Sequence, residues 1–266
     1  MCLIAFCWNP GQETPLVVAA NRDEFYARPA AAAKWWPANN GQDTILAGQD
    51  LQAGGTWLGV DSYGRFAALT NYRDPKRMRK QVRSRGELVS GFLLDPQKPL
   101  AEKWLQKTSA RSGQYNDFNL LLYDGLSLLA FESRNSKVFE PPTGLHALSN
   151  ADFDTPWPKV RKMYDKILGS IDDQEAVFEI LADTALAPEN ELPQTGIPLQ
   201  REKALSAVFI QTEDYGTRAS TIVRIGQQQV DFCERRFAPN VTPQQSSFHF
   251  DRALQTACAD ASHLQK

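Results

Sequence analysis

The stretch that decides the fold reads MCLIAFCW at residues 1–8, then NPG at residues 9–11 and LVVAANRDE at residues 16–24. Two apolar runs on either side of a Pro-Gly turn are typical of a β-hairpin with a loop of several residues. The second run ends in a dense polar cluster at residues 21–24. Functional groups are often presented where a strand gives way to a loop, so this hairpin is also the first candidate for a site.

A cysteine directly follows the initiator methionine. Methionine aminopeptidases remove Met1 when the next side chain is small, which would leave Cys2 with a thiol and a free α-amine. The thiol has a reference pKa of about 8.5 and the amine one of about 7.7–8.0, so at neutral pH the amine can accept the thiol proton. Cys2 would then be a nucleophile with its own base. The alternative is a small core residue in an apolar strand.

Further motifs are spread over most of the chain. They are GGTWLG at residues 54–59, TNYR at 70–73, LSNA at 148–151 and TRAST at 217–221. Together with Met1-Cys2 and the NRDE sequence at residues 21–24, this set resembles the NRDE family, also called the transport and Golgi organisation protein 2 family. The resemblance implies a fold like that of the N-terminal-nucleophile hydrolases. Its eukaryotic members are discussed in connection with haem and lipid metabolism.

Several positions are similar to those of the choloylglycine hydrolase and penicillin acylase group, and the resemblance assigns them roles. Cys2 would attack a carbonyl and cleave the C–N bond of a linear amide. Asp23 would hold the α-amine by a charge-assisted hydrogen bond. Asn71 and Asn150 would donate to the oxyanion or to the α-amine, and Arg218 would steady the thiolate. As plain structural residues, the two asparagines would satisfy turns and Arg218 would belong to a turn.

The chain departs from those acylases in one respect, because Arg22 and Asp23 are adjacent, whereas the acylases usually separate the two by two residues. Adjacent strand residues point to opposite faces, so only one of them is expected to face Cys2. We expect that residue to be Asp23. Arg22 is assigned to lowering the thiol pKa or binding a substrate carboxylate. The open alternative is a structural ion-pair network that includes Glu24.

The remaining candidates for substrate binding are Trp35, Trp36 and Arg73. The tryptophans lie in a predicted loop, where they either pack into the body or line a pocket. Arg73 begins a basic cluster that is either a solvated loop or an anion-attracting surface beside Asn71. The cluster consists of Arg73, Lys76, Arg77, Arg79, Lys80, Arg83 and Arg85.

Composition narrows the class of protein. The chain has 266 residues and a net charge of −2, which favours neither a nucleic acid nor a membrane partner. No apolar run approaches the roughly 18 residues that a membrane span needs. The four cysteines form no C-x-x-C pair and no Cys/His metal spacing, so we predict no metal, no cofactor and a reduced, cytoplasmic protein.

Hairpins with grouped helical segments predict the α+β class. The resemblance implies a four-layer αββα sandwich, two stacked mainly antiparallel sheets flanked by helices, and we expect one domain over residues 1–266. Hairpins are predicted at 56–71 and 117–131, strands at 207–211, 220–225 and 229–237 (the last), a loop at 188–198, and a short helix within 250–264. Helices are predicted from a capping box at Ser84, over 99–107, from Thr155 with Pro156 in its first turn, and over 172–181.

Three functions follow as hypotheses. The first is an N-terminal-nucleophile amidohydrolase that acts on a small molecule. The second is a carrier of haem or an acyl-type ligand on the same fold, and the third is a scaffold that uses the basic cluster to hold an anionic partner. The histidines support no other mechanism, since His146 lies in an apolar strand as a satisfied core residue would. The sequence does not define an oligomeric state.

Overall fold

A computed structural model describes residues 2–37 and 43–253 of the chain. The strands are β1 Cys2–Trp8, β2 Leu16–Phe25, β3 Ala30–Pro37, β4 Asp43–Asp50, β5 Leu58–Asp61, β6 Phe66–Asn71, β7 Phe118–Tyr123, β8 Leu128–Glu132, β9 Lys137–Phe139, β10 Gly144–Leu148, β11 Tyr215–Ile225, β12 Gln229–Ala238 and β13 Val241–Asp251. The α-helices are α1 Gly86–Leu94, α2 Ala101–Ser109, α3 Pro158–Ile167, α4 Gln174–Leu181 and α5 Leu199–Ala204.

The strands form two sheets, which we call sheet A and sheet B. Sheet A has the order β10-β1-β2-β11-β12-β13, and sheet B runs β3-β4-β5-β6-β7-β8-β9. Neighbouring strands are antiparallel throughout both sheets. The predicted first hairpin is confirmed, with Trp8 opposite Leu16 at its closed end.

Three apolar cores define four layers. The first lies between the sheets and includes Phe6 and Phe66. The second joins sheet B to α1 and α2, and the third joins the outer face of sheet A to α3 and α4. Each fully buried leucine or phenylalanine contributes about 1.5–3 kcal/mol, so both sheets are held on both faces. The predicted αββα sandwich is therefore confirmed.

Burial on both faces explains why β1 is continuously apolar instead of alternating. Its even-numbered side chains, such as Ile4 and Phe6, enter the core between the sheets. Its odd-numbered side chains, Leu3 and Ala5, pack towards α3 and α4. By this alternation Cys2 faces the space between the sheets.

Two segments predicted as irregular are strands. Residues 30–37 form β3 and not a loop. The strand pairs with β4, and the Ala33 amide donates a hydrogen bond to the Glu234 carboxylate at 2.7 Å. These interactions outweigh the low strand preference of alanine. Residues 214–218 separate the predicted strands at 207–211 and 220–225, yet β11 begins at Tyr215. The predicted strand at 207–211 is wrong, since only Gln211 makes an isolated bridge, to Gly216.

The predicted last strand, β12, is followed by β13, which pairs along it. Because β13 is a mostly exposed, polar edge strand, its sequence lacks the apolar alternation that would have indicated it. Most of the predicted helix at 250–264 lies outside the described residues. The predicted loop at 188–198 is interrupted by a short 3₁₀ turn and is followed by α5, which the sequence analysis missed.

Helix starts are only partly as predicted. Helix α1 begins at Gly86, but the capping box at Ser84 is not formed because Glu87 binds Arg83 and Tyr115 instead. Helix α3 has Trp157 as its N-cap and a different proline, Pro158, in its first turn. The helices predicted at 99–107 and 172–181 are confirmed as α2 and α4.

None of the helices in the described ranges combines the length and apolar character needed to cross a membrane. Within the same residues, no group of three or more His, Cys, Asp or Glu side chains is placed to hold a metal ion. The single domain over residues 1–266 stays a prediction.

His146 on β10 is fully hydrogen-bonded, as the sequence analysis predicted. Its Nδ1 lies 2.8 Å from a carboxylate oxygen of Asp154, and its Nε2 lies 2.8 Å from the carbonyl oxygen of Pro142. Both partners are acceptors, and both ring nitrogens can donate at once only in the imidazolium form, which this arrangement therefore stabilises. The hydrogen bond to Asp154 raises the pKa of His146 above its ordinary value.

We expect His146→Gln to cost about 1.5 kcal/mol of unfolding free energy at pH 6. Because the folded pKa is raised, this contribution is complete below the unfolded pKa of about 6.5 and is lost as the pH rises through the folded pKa. Urea unfolding from pH 6 to pH 9 measures the difference. The exposed pair His249–Asp231 provides the control, His249→Gln, for which little cost is expected. If His146→Gln lowers the free energy of unfolding by the same amount at every pH in this range, His146 is not protonated in the folded protein at pH 6.

Candidate active site

A pocket of about 310 Å³ opens where β1 begins and where β2 and β6 end. Both sides of the first hairpin reach it, together with the strand end at Asn71 and the start of α1. Its lining residues are Cys2, Arg22, Asp23, Glu24, Arg28, Asp50, Thr56, Trp57, Leu69, Asn71, Val82, Arg83, Ser84, Arg85, Gly86 and Asn116. The pocket thus gathers the cysteine at position 2, three residues of the NRDE sequence and one predicted asparagine.

Cys2 is opposite Arg22 in the ladder between β1 and β2. Directly opposed residues of an antiparallel pair share a face of the sheet, so the thiol and the guanidinium lie side by side. Burial raises the pKa of the Cys2 thiol, and Asp23 adds to this effect while Arg22 opposes it. The thiol is therefore protonated at neutral pH and needs a base to become a nucleophile.

The side chain on the face of Cys2 is that of Arg22, so the expectation that Asp23 occupies this face is wrong. Arg22 is 5% exposed and its guanidinium lies over the Trp57 ring, 4.2 Å from the centroid. Its Nη1 atom has no hydrogen-bond partner among the described residues. A buried guanidinium with an unused donor beside a thiol is suited to an anion in the pocket.

Asp23 lies on the opposite face but still borders the pocket, because β2 is close to its end there. Its carboxylate accepts a hydrogen bond from the Thr217 hydroxyl at 2.8 Å, and its carbonyl accepts one from the Tyr215 hydroxyl at 2.9 Å. Burial raises the pKa of Asp23, while Lys159 and Thr217 oppose the increase. The carboxylate is held among donors and cations at the edge of the site.

The two predicted asparagines are brought together with different roles. Asn71 lines the pocket itself. Asn150 is fully buried and donates from its side chain to the carbonyl of Asn71 at 2.8 Å. The backbone of Asn150 also accepts from the amide of Arg73 at 2.8 Å. Asn150 thus fixes the strand end that presents Asn71 instead of lining the pocket.

The first residue of the NRDE sequence is structural. The side-chain amide of Asn21 donates to the carbonyls of Leu181 and Val208 at 2.8 and 2.9 Å. Its oxygen accepts from the hydroxyl of Ser220 at 2.6 Å. Asn21 therefore ties β2 to the helical layer behind it.

Arg218 does not border the pocket, which corrects its predicted place beside the Cys2 thiolate. A β-bulge between Thr217 and Ala219 makes it the extra residue of β11. Its guanidinium donates to the carbonyls of Phe25 and Tyr26 at 3.1 and 3.0 Å. Arg218 therefore holds the chain in place after β2.

The tryptophans and Arg73 are also placed away from Cys2. Trp36 packs into the core under α1 and α2 and donates to the Ala47 carbonyl at 2.9 Å, while Trp35 packs edge-on against Phe250 at the core between the sheets. Both tryptophans are thus packing residues, and their predicted contact with a substrate has no basis in this pocket.

Arg73 borders a second pocket, of about 450 Å³, that adjoins the first and shares Glu24, Arg28, Asn71, Arg85 and Asn116 with it. There Arg73 forms a buried ion pair with Glu202 at 3.0 Å. Apolar side chains line this pocket alongside the arginines, among them Phe25, Tyr72, Met78, Ile197 and Leu205. Arg73 is therefore at a pocket, but not at the one that contains Cys2.

Residues 1–239 match the family described as Transport and Golgi organisation 2. The chain belongs to this family. A Bos taurus Transport and Golgi organization protein 2 homolog is 35% identical over 263 residues, covering 88% of this chain and 92% of the relative. The Mus musculus homolog is 33% identical and covers 96% and 100% of the two chains. The resemblance drawn from the motifs is thereby confirmed.

Solved structures with a related arrangement are more distant from this member of the Transport and Golgi organisation 2 family. A conjugated bile acid hydrolase from Clostridium perfringens aligns over 96% of this chain and 97% of its own, with a TM-score of 0.44 and 9% identity. A Caenorhabditis elegans ortholog of N-acylethanolamine-hydrolyzing acid amidase aligns over 84% and 92%, with a TM-score of 0.43 and 10% identity.

In this family member, the sequence analysis missed Trp57, which lines the pocket, and Lys159, a buried residue outside the lining. Lys159 is 1% exposed in the first turn of α3 and interacts electrostatically with Asp23 and Cys2. A signal was available, because Lys159 precedes Met163 by four residues and so occupies the apolar stripe of its helix. Trp57 belongs to a motif that was recognised only as a family signature.

Proposed function

We propose that the protein is an N-terminal-nucleophile amidohydrolase in which Cys2 cleaves a linear C–N amide bond of a small molecule. The observation that carries the proposal is the pocket that Cys2 shares with Arg22, Asp23 and Asn71. The pocket thus supplies a thiol as the nucleophile and an amide as a donor to the oxyanion, and the α-amine of Cys2 would be the base. In keeping with a reduced, cytoplasmic protein, Cys2, Cys7 and Cys233 are free thiols.

The reaction requires removal of Met1, so that the α-amine belongs to Cys2. The neutral amine takes the thiol proton, and the thiolate attacks the carbonyl carbon of the amide. As the tetrahedral intermediate collapses, the ammonium returns the proton to the leaving amine and a thioester remains. Water then hydrolyses the thioester, so one amide and one water become one carboxylic acid and one amine.

Charge in the pocket supports these steps. Arg22 offers its unused Nη1 donor on the face of the thiol, where it opposes the increase of the thiol pKa caused by burial. The side-chain amide of Asn71 is the proposed donor to the oxyanion, and Asn150 keeps it in place through the Asn71 carbonyl. Asp23 is the proposed acceptor for the α-ammonium.

The test compares two N-termini of the untagged protein. We expect the intact mass of the native chain to lack Met1, and N-acyl amides to be hydrolysed by that form. Insertion of one lysine between Met1 and Cys2 should block processing, because methionine before a large residue is retained. That variant keeps the thiol but lacks its amine, and we expect at least 100-fold slower hydrolysis. Equal rates for the two forms, or retention of Met1 in an active native chain, would refute the proposal.

The second pocket supports a different function, that of a carrier. Its combination of apolar side chains with Arg77, Arg85 and Arg201 suits a ligand with an apolar body and an acidic group, such as haem or an acyl-type ligand. A carrier requires no nucleophile. Loss of Cys2 should therefore abolish the activity of a hydrolase but leave the ligand affinity of a carrier unchanged.

A further inference from the structure

A lysine is buried behind the strand that carries Asp23. Lys159 belongs to α3, which packs on the outer face of sheet A, the face to which Asp23 points. Its Nζ atom has no hydrogen-bond partner among the described residues. An ammonium in such a place is stabilised only by a nearby negative charge, since burial without a partner is costly.

The charges around this lysine come from several elements. Asp23 of β2 attracts the ammonium most strongly, a thiolate at Cys2 would also attract it, and Arg73 repels it. The titratable and charged groups that face Lys159 or Asp23 are Cys2 of β1, Asp23 of β2, Arg73 after β6, Glu202 of α5 and Tyr215 of β11. Glu202 neutralises Arg73, and among the described residues Asp23 is the carboxylate that attracts Lys159.

We propose that Lys159 is a positioning residue that neutralises Asp23 and thereby keeps the α-amine of processed Cys2 available as a base. This inference rests on the proposed function, since it requires Cys2 to be the first residue. An ionised Asp23 alone would hold the amine as an ammonium and raise its pKa. With Lys159 sharing that negative charge, the amine loses its proton at a lower pH.

The protonation of Lys159 limits the pH range of this effect. Burial lowers its pKa to about 8, although Asp23 opposes the decrease. The lysine is therefore charged below about pH 8 and increasingly neutral above it. The neutralisation of Asp23 is present at neutral pH and fades in alkaline solution.

The test is the pH titration of the α-amine of Cys2, followed by NMR on protein that lacks Met1 and is labelled with ¹³C and ¹⁵N at cysteine. We expect Lys159→Met to move the midpoint of the amine titration up by about one pH unit, which leaves roughly tenfold less neutral amine on its acid side. Asp23→Asn should move the midpoint down. In the Asp23→Asn background, Lys159→Met should cause no further shift, because the lysine acts through the carboxylate.

The double variant also removes both buried charges, so it keeps the test valid if Lys159→Met alone folds poorly. Lys166→Met is the matched control, as Lys166 lies on the same helix but is half exposed and paired with Asp183. An unchanged midpoint in Lys159→Met, or the same shift with and without the Asp23 carboxylate, would overturn the inference. The amine titration needs no substrate, so inactivity towards amides would refute the proposed function without affecting the result of this test.

Discussion

Cys2→Ala is expected to lower kcat/KM for any amide that the native chain hydrolyses by roughly 10⁴-fold or more, because the residual rate comes only from binding and oxyanion stabilisation. The substitution removes one sulfur atom from a side chain that is 7% exposed, so the fold should survive. Steady-state kinetics on purified protein measure the loss, and thermal unfolding confirms that the variant is folded.

Cys7→Ala is the matched control for this experiment. Cys7 lies on the same strand, but an odd number of residues away and therefore on the other face, and it is not among the lining residues of the Cys2 pocket. Its variant should keep native kinetics. A Cys2→Ala protein that still hydrolyses amides at the native rate would exclude the nucleophile. If the native protein hydrolyses no amide and Cys2→Ala binds haem or an acyl-type ligand with native affinity, the protein is a carrier.

Glu202→Ala is expected to destabilise the protein by about 3–5 kcal/mol, because it leaves the Arg73 guanidinium buried without its counter-ion. The two side chains are 5% and 4% exposed and 3.0 Å apart. For a chain of this length the loss corresponds to roughly 10 °C in Tm. Unfolding in urea measures the change, provided that the dependence of the unfolding free energy on urea concentration is the same for both variants.

A neighbouring ion pair between Lys203 of α5 and Glu189 of the 3₁₀ turn provides the surface control. Lys203 lies 3.1 Å from Glu189 at the surface, and Glu189→Ala should cost at most about 1 kcal/mol. Combining Glu202→Ala with Arg73→Met should recover much of the loss, since no charge is then left buried. A Glu202→Ala cost no larger than that of the surface pair would contradict a structural role for the buried pair.

The sequence predicts the first hairpin and the layers because the positions that are buried in them are occupied by apolar residues at regular spacing. Strands buried on both faces, such as β1, are long apolar runs, and the helices on either side have regular apolar stripes. Strand β13 and the alanine-rich β3 lack such an apolar pattern. Their pairing is determined by neighbouring strands, which a local pattern does not contain.

Which residues reach the site was less predictable than which residues belong to the family motifs. Cys2, Arg22, Asp23 and Asn71 were identified as candidates and line one pocket. Side-chain direction depends on the register of β1 against β2, which places Arg22 and not Asp23 beside the thiol. Placing Lys159 near the site required the packing of α3 on sheet A, a long-range contact.

The bulge in β11 decides which kind of side chain Asp23 meets. In an uninterrupted ladder continuing from the pair of Arg22 with Ala219, Arg218 would stand opposite Asp23 and share its face. The extra residue instead brings the Thr217 hydroxyl to the carboxylate and sends the guanidinium to the carbonyls after β2. The number of residues in β11 therefore sets which charge stands beside Asp23, and deletion of Thr217 would bring Arg218 opposite Asp23 without replacing a single side chain that lines the pocket.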